Sequence, residues 1–295
     1  MHKAKKSLGQ NFLKSEIALL KIIEAGEIKK SDVILEIGPV MGALTEKLLE
    51  KAGTVIAVEK DYSLVSLLKE KFAEQISAGS LVLVHDDILN FEVARQNLAT
   101  SLERYKIIAN IPYNITGAIL KKFLTGERQP EIMVLMVQHE VATRILARDC
   151  KESILSISVK AYGEPKMIAK VDKRYFSPAP KVNSAIIVIK NISRKLFISP
   201  LPAQAGQPSP YKGEGDKTTV QDKTWNSQAF EEKFWEIVKA GFAHKRKKLS
   251  SNLKTFLKNS EDGGISSVES LGNRRAEDLS LPDWILLSKQ VIINL

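Results

Sequence analysis

The chain holds one cysteine, Cys150, in 295 residues, so no disulfide can form within it and the composition fits a reducing compartment. No apolar run approaches the ~20 residues needed to span a bilayer. The basic N-terminus also lacks the apolar stretch of a secretory signal. A cytoplasmic protein with no membrane partner is expected. The four histidines, His2, His85, His139 and His244, have no metal-ligand spacing, and no metal is expected. There is no internal repeat and no coiled-coil pattern. Acidic residues are too few to balance the basic ones. The formal charge is +10 and the pI is near 9.4, which favours a polyanionic partner and salt-sensitive binding.

What is present is enough for a sizeable core. At 44% hydrophobic, the chain has room for one large and one small domain. Apolar, β-rich runs near 33–37, 54–58, 81–84, 105–109, 131–138, 166–172 and 184–190 predict strands, with helical periodicity between the first five. That alternation implies an α/β fold with a largely parallel sheet covered on both faces, its last two strands forming a hairpin. After Trp225 the pattern is helical only. Phe230, Phe234, Ile237 and Val238, then Leu249, Leu253, Phe256 and Leu257, read as core positions of a small all-α domain. Between the two, Ser199 to Asp216 is rich in proline, glycine and polar residues and reads as a flexible insertion. The expected organisation is a first domain over 1–192, an insertion and linker over 193–226, and a helical domain over 227–295.

Three motifs carry chemistry. Val33-Ile-Leu-Glu-Ile-Gly-Pro-Val-Met-Gly-Ala-Leu-Thr45 is a strand running into a glycine-containing turn and a helix. A second strand, Thr54 to Val58, ends in Glu59, about 20 residues after the turn begins, where a nucleotide-binding unit sets a carboxylate against ribose hydroxyls. The turn carries Glu36 and Pro39 and lacks the glycine triplet of a dinucleotide site, so S-adenosylmethionine suits it better than NAD. Leu81-Val-Leu-Val-His-Asp-Asp-Ile-Leu89 is a strand ending in acids. Asp87 is placed to accept from an adenine amine and Ile88 to pack on its ring, while Asp86 reads as a turn starter. Asn110-Ile-Pro-Tyr-Asn-Ile-Thr116 follows an apolar strand and is suited to methyl transfer onto an exocyclic amine. The adenine N6 lone pair is delocalised, so acceptors must hold its protons. The Asn110 side-chain oxygen and the Pro112 carbonyl are candidates, with Tyr113 stacking on a base that has left its helix.

With Gln10-Asn-Phe-Leu13, Glu36-Ile-Gly-Pro39, Asn110-Ile-Pro-Tyr-Asn114 and Phe176-Ser-Pro-Ala-Pro-Lys-Val-Asn-Ser184 in this order, nearly the whole chain resembles the small-subunit ribosomal RNA adenine dimethyltransferases, the KsgA family. The resemblance implies a Rossmann-like methyltransferase sheet with a small C-terminal all-α domain. It also implies S-adenosylmethionine contacts from Asn11, Leu13, Gly38, Glu59, Asp87 and Asn110, and a target base handled by Asn110, Tyr113 and Phe176. The family transfers two methyl groups to N6 of each of two adjacent adenosines near the 3′ end of small-subunit ribosomal RNA. The expected partners are that RNA and the pre-assembled small subunit, with the protein a monomer. The macrolide-resistance methyltransferases of large-subunit RNA share the catalytic motif. However, Gly241-Phe-Ala-His-Lys-Arg-Lys-Lys-Leu-Ser-Ser-Asn-Leu253 and Asn273-Arg-Arg-Ala-Glu-Asp-Leu279 resemble the small-subunit enzymes, although Ala276 replaces a proline.

Among basic clusters at Lys3 to Lys6, Lys121-Lys122, Lys245 to Lys248 and Arg274-Arg275, the run Lys245, Arg246, Lys247, Lys248 is the expected RNA contact. A sulfonium methyl donor already carries its charge, so positioning and desolvation suffice and no catalytic histidine or lysine is needed. Tyr113 and Phe176 are expected to sandwich the flipped base, two prolines stiffening the loop that presents Phe176. Val40 stands where the family has glycine, a poor residue for a positive φ, and a shifted loop with weaker cofactor binding is expected. That departure also motivates a competing reading as an RNA-binding assembly factor that has lost turnover.

Overall fold

The computed structural model describes residues 5, 10–92, 103–198, 227–257, 268 and 271–293. They fall into two compact units, Met1–Ser193 and Arg194–Leu295.

In the first unit, after the two-residue strand β1 (Phe12–Leu13), come α1 (Glu16–Ala25), β2 (Val33–Ile37), α2 (Ala43–Lys51), β3 (Thr54–Glu59), α3 (Tyr62–Lys71), α4 (Ala73–Ser77), β4 (Leu81–His85) and β5 (Lys106–Asn110). Then follow α5 (Thr116–Leu124), β6 (Ile132–Gln138), α6 (His139–Leu146), α7 (Ile154–Lys160), β7 (Glu164–Val171), β8 (Phe176–Ser177) and β9 (Ser184–Lys190). The sheet order is β4-β3-β2-β5-β6-β9-β7. The five strands from β4 to β6 are parallel, and β9 and β7 close the edge antiparallel. The parallel strands are apolar on both faces because helices cover both: Ile34, Leu35, Val55, Ile56, Ile107 and Ile108 are all fully buried. The expected sheet and its terminal antiparallel pair are present, and residues 93–102, part of the expected β4-to-β5 helical pattern, lie outside the described residues.

Two short strands, β1 and β8, were not expected. They pair antiparallel, Phe12 with Ser177 and Leu13 with Phe176. At the opposite end of the sheet from the motifs, the buried Lys106 ammonium of β5 donates to the carbonyls of Gly26 and Glu27 and to Asp32 Oδ2, at 3.2, 2.7 and 2.7 Å. Those carbonyls follow the C-terminus of α1, where a cation is favoured.

The second unit contains α8 (Lys195–Ile198), α9 (Ser227–Gly241), α10 (Leu249–Leu257) and α11 (Leu281–Ile293). Phe234, Ile237, Val238, Leu249, Leu253 and Leu257 are buried, as the periodicity implied, together with Trp284, which it did not mark. The stretch Lys195–Ile198, assigned above to the linker, is instead helical, because Phe197 is buried against the edge of Phe234. Ser199 to Asp216 lies outside the described residues. No helix among those described is long and apolar enough to cross a membrane.

Candidate active site

The carboxyl ends of β2, β3, β4 and β5 open on one pocket, where an open parallel sheet binds ligands. Gln10 and Asn11 line it from the N-terminal segment, Gly38 and Val40 from the turn after β2, and Glu59 and Lys60 from the end of β3. Asp86, Asp87 and Ile88 follow from β4, and Asn110, Pro112 and Tyr113 from β5. The three motifs, distant in sequence, therefore share one cavity.

Asn110 Nδ2 donates to the Asn11 carbonyl at 3.3 Å. That bond commits the amide nitrogen to the protein and leaves the oxygen as the acceptor. The Pro112 carbonyl accepts from Ile115 N–H at 3.3 Å and keeps a second lone pair. Tyr113, half-buried, shares a 2.5 Å hydrogen bond between its hydroxyl and the fully buried Ser184 Oγ. Burial raises its phenol pKa, opposed by that bond.

The acids sort by environment. Glu59 is buried. Burial raises its carboxyl, partly offset by backbone N–H groups, among them Asp61 at 2.8 Å and Val40 at 3.2 Å. Each carboxylate oxygen has two acceptor sites, so ribose hydroxyls can still bind. Asp87 is held below its ordinary value by the Lys60 ammonium, 2.7 Å from Oδ2, and its Oδ1 accepts from Leu89 N–H. Glu36 does not line the pocket. It is buried beneath the turn, pushed up to about 8 mainly by loss of solvent, with Thr45 Oγ1 donating to it at 2.7 Å.

Gly38 and Gly42 have φ of +67° and +80°, and a Cβ on Gly42 would come within 2.5 Å of the Phe72 ring. Val40, between them, has φ +58°. The suspected conflict is real: a β-branched residue sits in the left-handed region, at a cost of roughly 1–2 kcal/mol. Its N–H donates to Glu59, so the strain is coupled to the acid assigned to the ribose. Val40→Gly is expected to stabilise the fold by about 1 kcal/mol after the entropy of the unfolded glycine is subtracted, read as a higher thermal midpoint, and to tighten cofactor binding. Calorimetry checks both, and an unchanged midpoint with unchanged affinity would show a loop already adapted to valine.

Two expected residues are not brought to the pocket wall. Phe176 is 4% exposed and Leu13 is 9% exposed; both side chains belong to the core cluster with Ile22 and Val171. The pairing of β1 with β8 turns both inward, so the prolines do not present the Phe176 ring. Phe176 therefore lies behind the pocket wall, while Tyr113 lines the pocket.

Sequence reasoning missed Asp61. Its carboxylate is 1% exposed and caps α3. It accepts from Lys5 Nζ at 2.7 Å, from Gln10 Nε2 at 3.1 Å and from Ser63 N–H at 3.1 Å. Burial alone would raise its pKa, but these donors hold it far below the usual carboxylate range. Asp61 thereby ties the N-terminal segment carrying Gln10 and Asn11 to the pocket rim. The Glu-x-Asp spacing at 59 and 61 was its only local signal.

In the helical unit, Lys245, Arg246, Lys247 and Lys248 are all exposed in the turn between α9 and α10. Asn252 Nδ2 clamps this turn through the carbonyls of Gly241 and His244 at 2.6 and 3.2 Å. A Cβ on Gly241 would meet Trp284 at 2.3 Å. The Arg274 carbonyl accepts from Leu249 N–H at 2.9 Å, which brings exposed Arg274 and Arg275 beside the basic turn.

The pocket lining, with a glycine turn, the carboxylates of Glu59 and Asp87 and the apolar side chain of Ile88, fits the polar and apolar parts of S-adenosylmethionine. Residues 1–198 match the family described as ribosomal RNA adenine dimethylase. The chain is 35% identical over 291 residues to a ribosomal RNA small subunit methyltransferase A of Dehalococcoides mccartyi, covering 97% of this chain and 87% of that one. It is 35% identical over 292 residues to the protein of that name in Fusobacterium nucleatum, covering 97% of both. Among solved structures, a dimethyladenosine transferase from Plasmodium falciparum aligns with TM-score 0.69 at 24% identity, over 94% of this chain and 95% of that one. The 23S rRNA methyltransferase ErmE aligns with TM-score 0.66 at 22% identity, over 96% of this chain and 100% of that one. At these identities the two structures establish the fold alone: a Rossmann-like methyltransferase sheet with a helical C-terminal part.

Proposed function

The chain belongs to the ribosomal RNA adenine dimethylase family, and from that premise we propose that it dimethylates N6 of two adjacent adenosines near the 3′ end of small-subunit ribosomal RNA. The observation that carries this reading is the shared pocket of Asn110, Pro112 and Tyr113 with Glu59 and Asp87. Bound S-adenosylmethionine supplies an activated methyl group at that point. Glu59 accepts from the ribose hydroxyls and Asp87 from the adenine amine, with Ile88 against the ring. The Asn110 oxygen and the Pro112 carbonyl would accept hydrogen bonds from the two N6–H groups, drawing the nitrogen lone pair out of conjugation and aiming it, and each methylation would release one N6 proton to solvent. Tyr113 stacks on the flipped base, worth on the order of 1–3 kcal/mol. After the first transfer one of these acceptors would still bind the remaining N6–H, so a second cycle needs no new group. A cytoplasmic site of action follows from a ribosomal substrate.

Large-subunit RNA is the alternative substrate. Incubating each purified ribosomal RNA with protein and methyl-labelled cofactor separates the two: label is expected in small-subunit RNA, and label confined to large-subunit RNA would overturn the assignment.

The exposed turn Lys245 to Lys248, flanked by Arg274 and Arg275, supports a phosphate-binding role for the helical unit. Replacing Lys245, Arg246, Lys247 and Lys248 with alanine is expected to lower RNA affinity and flatten its salt dependence by up to about 0.9 for each phosphate no longer neutralised, without changing cofactor affinity. Equal salt slopes for both proteins would mark the turn as a solvated face.

A further inference from the structure

A second basic surface lies in the methyltransferase unit. The edge strand β7 turns Lys166 and Lys170 outward. The 3-10 turn that follows exposes Lys173, Arg174 and Tyr175, and Lys181 is exposed beyond β8. Only two carboxylates, Glu164 and Asp172, interrupt this ridge, and Asp172 caps the turn by accepting from Arg174 N–H at 2.9 Å. The Arg174 guanidinium lies 5.2 Å from the centre of the Tyr175 ring, which is 40% exposed. Lysines on an edge strand guard against pairing with another sheet. Arg174 and Tyr175 lie beyond the strand and serve no such purpose.

The turn is bolted to the active site from both sides. The Tyr175 carbonyl accepts from Lys14 N–H at 2.8 Å, three residues along from the Asn11 carbonyl that holds Asn110. Lys173 N–H donates to Asn183 Oδ1 at 3.0 Å, and the next residue, Ser184, bonds the Tyr113 hydroxyl. A rigid, cationic, aromatic-tipped ridge beside the target-base residues matches the surface that tracks single-stranded RNA, in which phosphates meet cations and unstacked bases meet rings.

We propose that the ridge formed by Lys166, Lys170, Lys173, Arg174 and Lys181 binds the single-stranded RNA that flanks the target adenosines, with Tyr175 stacking on one of its bases. This rests on the reading of the chain as an RNA methyltransferase. It assigns substrate binding to the methyltransferase unit in addition to the helical one. Because Tyr175 needs an unpaired base, the ridge prefers single strands to duplex.

The test is fluorescence titration of the full chain with an unstructured oligouridylate and with a blunt RNA duplex across a salt series. Substituting Lys170, Lys173 and Arg174 together with alanine is expected to flatten the salt slope for oligouridylate by about 2, at ~0.7 per neutralised phosphate on single strands. Tyr175→Ala is expected to weaken oligouridylate binding about tenfold with the slope retained, and Tyr175→Phe to bind as the unaltered protein does. Cofactor affinity, measured by calorimetry, stays constant in all variants. Unchanged oligouridylate affinity and slope in the triple variant would overturn the proposal, as would a Tyr175→Ala loss equal for single strand and duplex. Binding is read without turnover, so the two readings fail separately. A protein that methylates no RNA but loses salt slope in the triple variant retains the ridge and loses the enzymatic assignment.

Discussion

Asn110→Ala is expected to reduce methyl transfer at least 100-fold under single-turnover conditions while RNA affinity stays within about twofold. The side chain touches no phosphate, and its nitrogen is already committed to the Asn11 carbonyl, so its oxygen is free to act on the amine. Removing an acceptor aimed at charge that develops in the transition state costs about 3–4 kcal/mol in comparable sites, which sets the lower bound on the loss. Asn110→Asp is the informative companion, because it keeps an oxygen at the same reach and loses the donation to Asn11. It is expected to retain part of the activity, and its loss to the level of alanine would mean that Asn110 chiefly positions the N-terminal segment. Near-normal turnover in the alanine variant would remove Asn110 from the mechanism.

The second large effect concerns the cofactor. Glu59→Ala is expected to weaken S-adenosylmethionine binding by a factor of about 150 or more, corresponding to two charge-assisted hydrogen bonds at no less than about 1.5 kcal/mol each. RNA affinity should not move. Alanine also releases the N–H groups of Val40 and Asp61, so Glu59→Gln is needed beside it: the amide keeps an acceptor oxygen and the volume but loses the charge. An intermediate loss in the glutamine variant supports direct ribose binding, and equal losses point to collapse of the loop. The pH dependence has a defined sign. Burial raises the Glu59 carboxyl above its ordinary value, so protonation replaces an acceptor with a donor at a pH above the usual carboxylate range. Cofactor affinity should therefore fall on acidification earlier than an exposed glutamate would allow.

How far the sequence revealed this site depended on how local each signal was. Gly38, Glu59, Asp87 and Asn110 each lie at or just beyond the carboxyl end of a largely apolar strand, and such runs locate strand ends to within a residue or two. The strain at Val40 was also legible, because the flanking glycines marked a turn in which positive φ is common. The burial of Phe176 was not legible for a long-range reason: its side is set by pairing with Leu13, more than 160 positions upstream, and two-residue strands leave no periodic trace. Asp61 escaped for the same reason, since its partners Lys5 and Gln10 lie in a different segment. In the helical unit the basic turn was visible as a run of charge. That Arg274 and Arg275 stand beside it depends on one backbone hydrogen bond from Leu249 to Arg274, which no composition encodes.

The central claim is that these residues dimethylate adenosine N6 in small-subunit ribosomal RNA. Its most direct test is mass spectrometry of nucleosides and mapped fragments from small-subunit RNA incubated with the protein and isotopically labelled S-adenosylmethionine. The account predicts labelled N6,N6-dimethyladenosine at two neighbouring positions near the 3′ end, absent with Asn110→Ala. Cofactor bound by the unaltered protein with no labelled adenosine in any small-subunit preparation, naked or assembled, would contradict it.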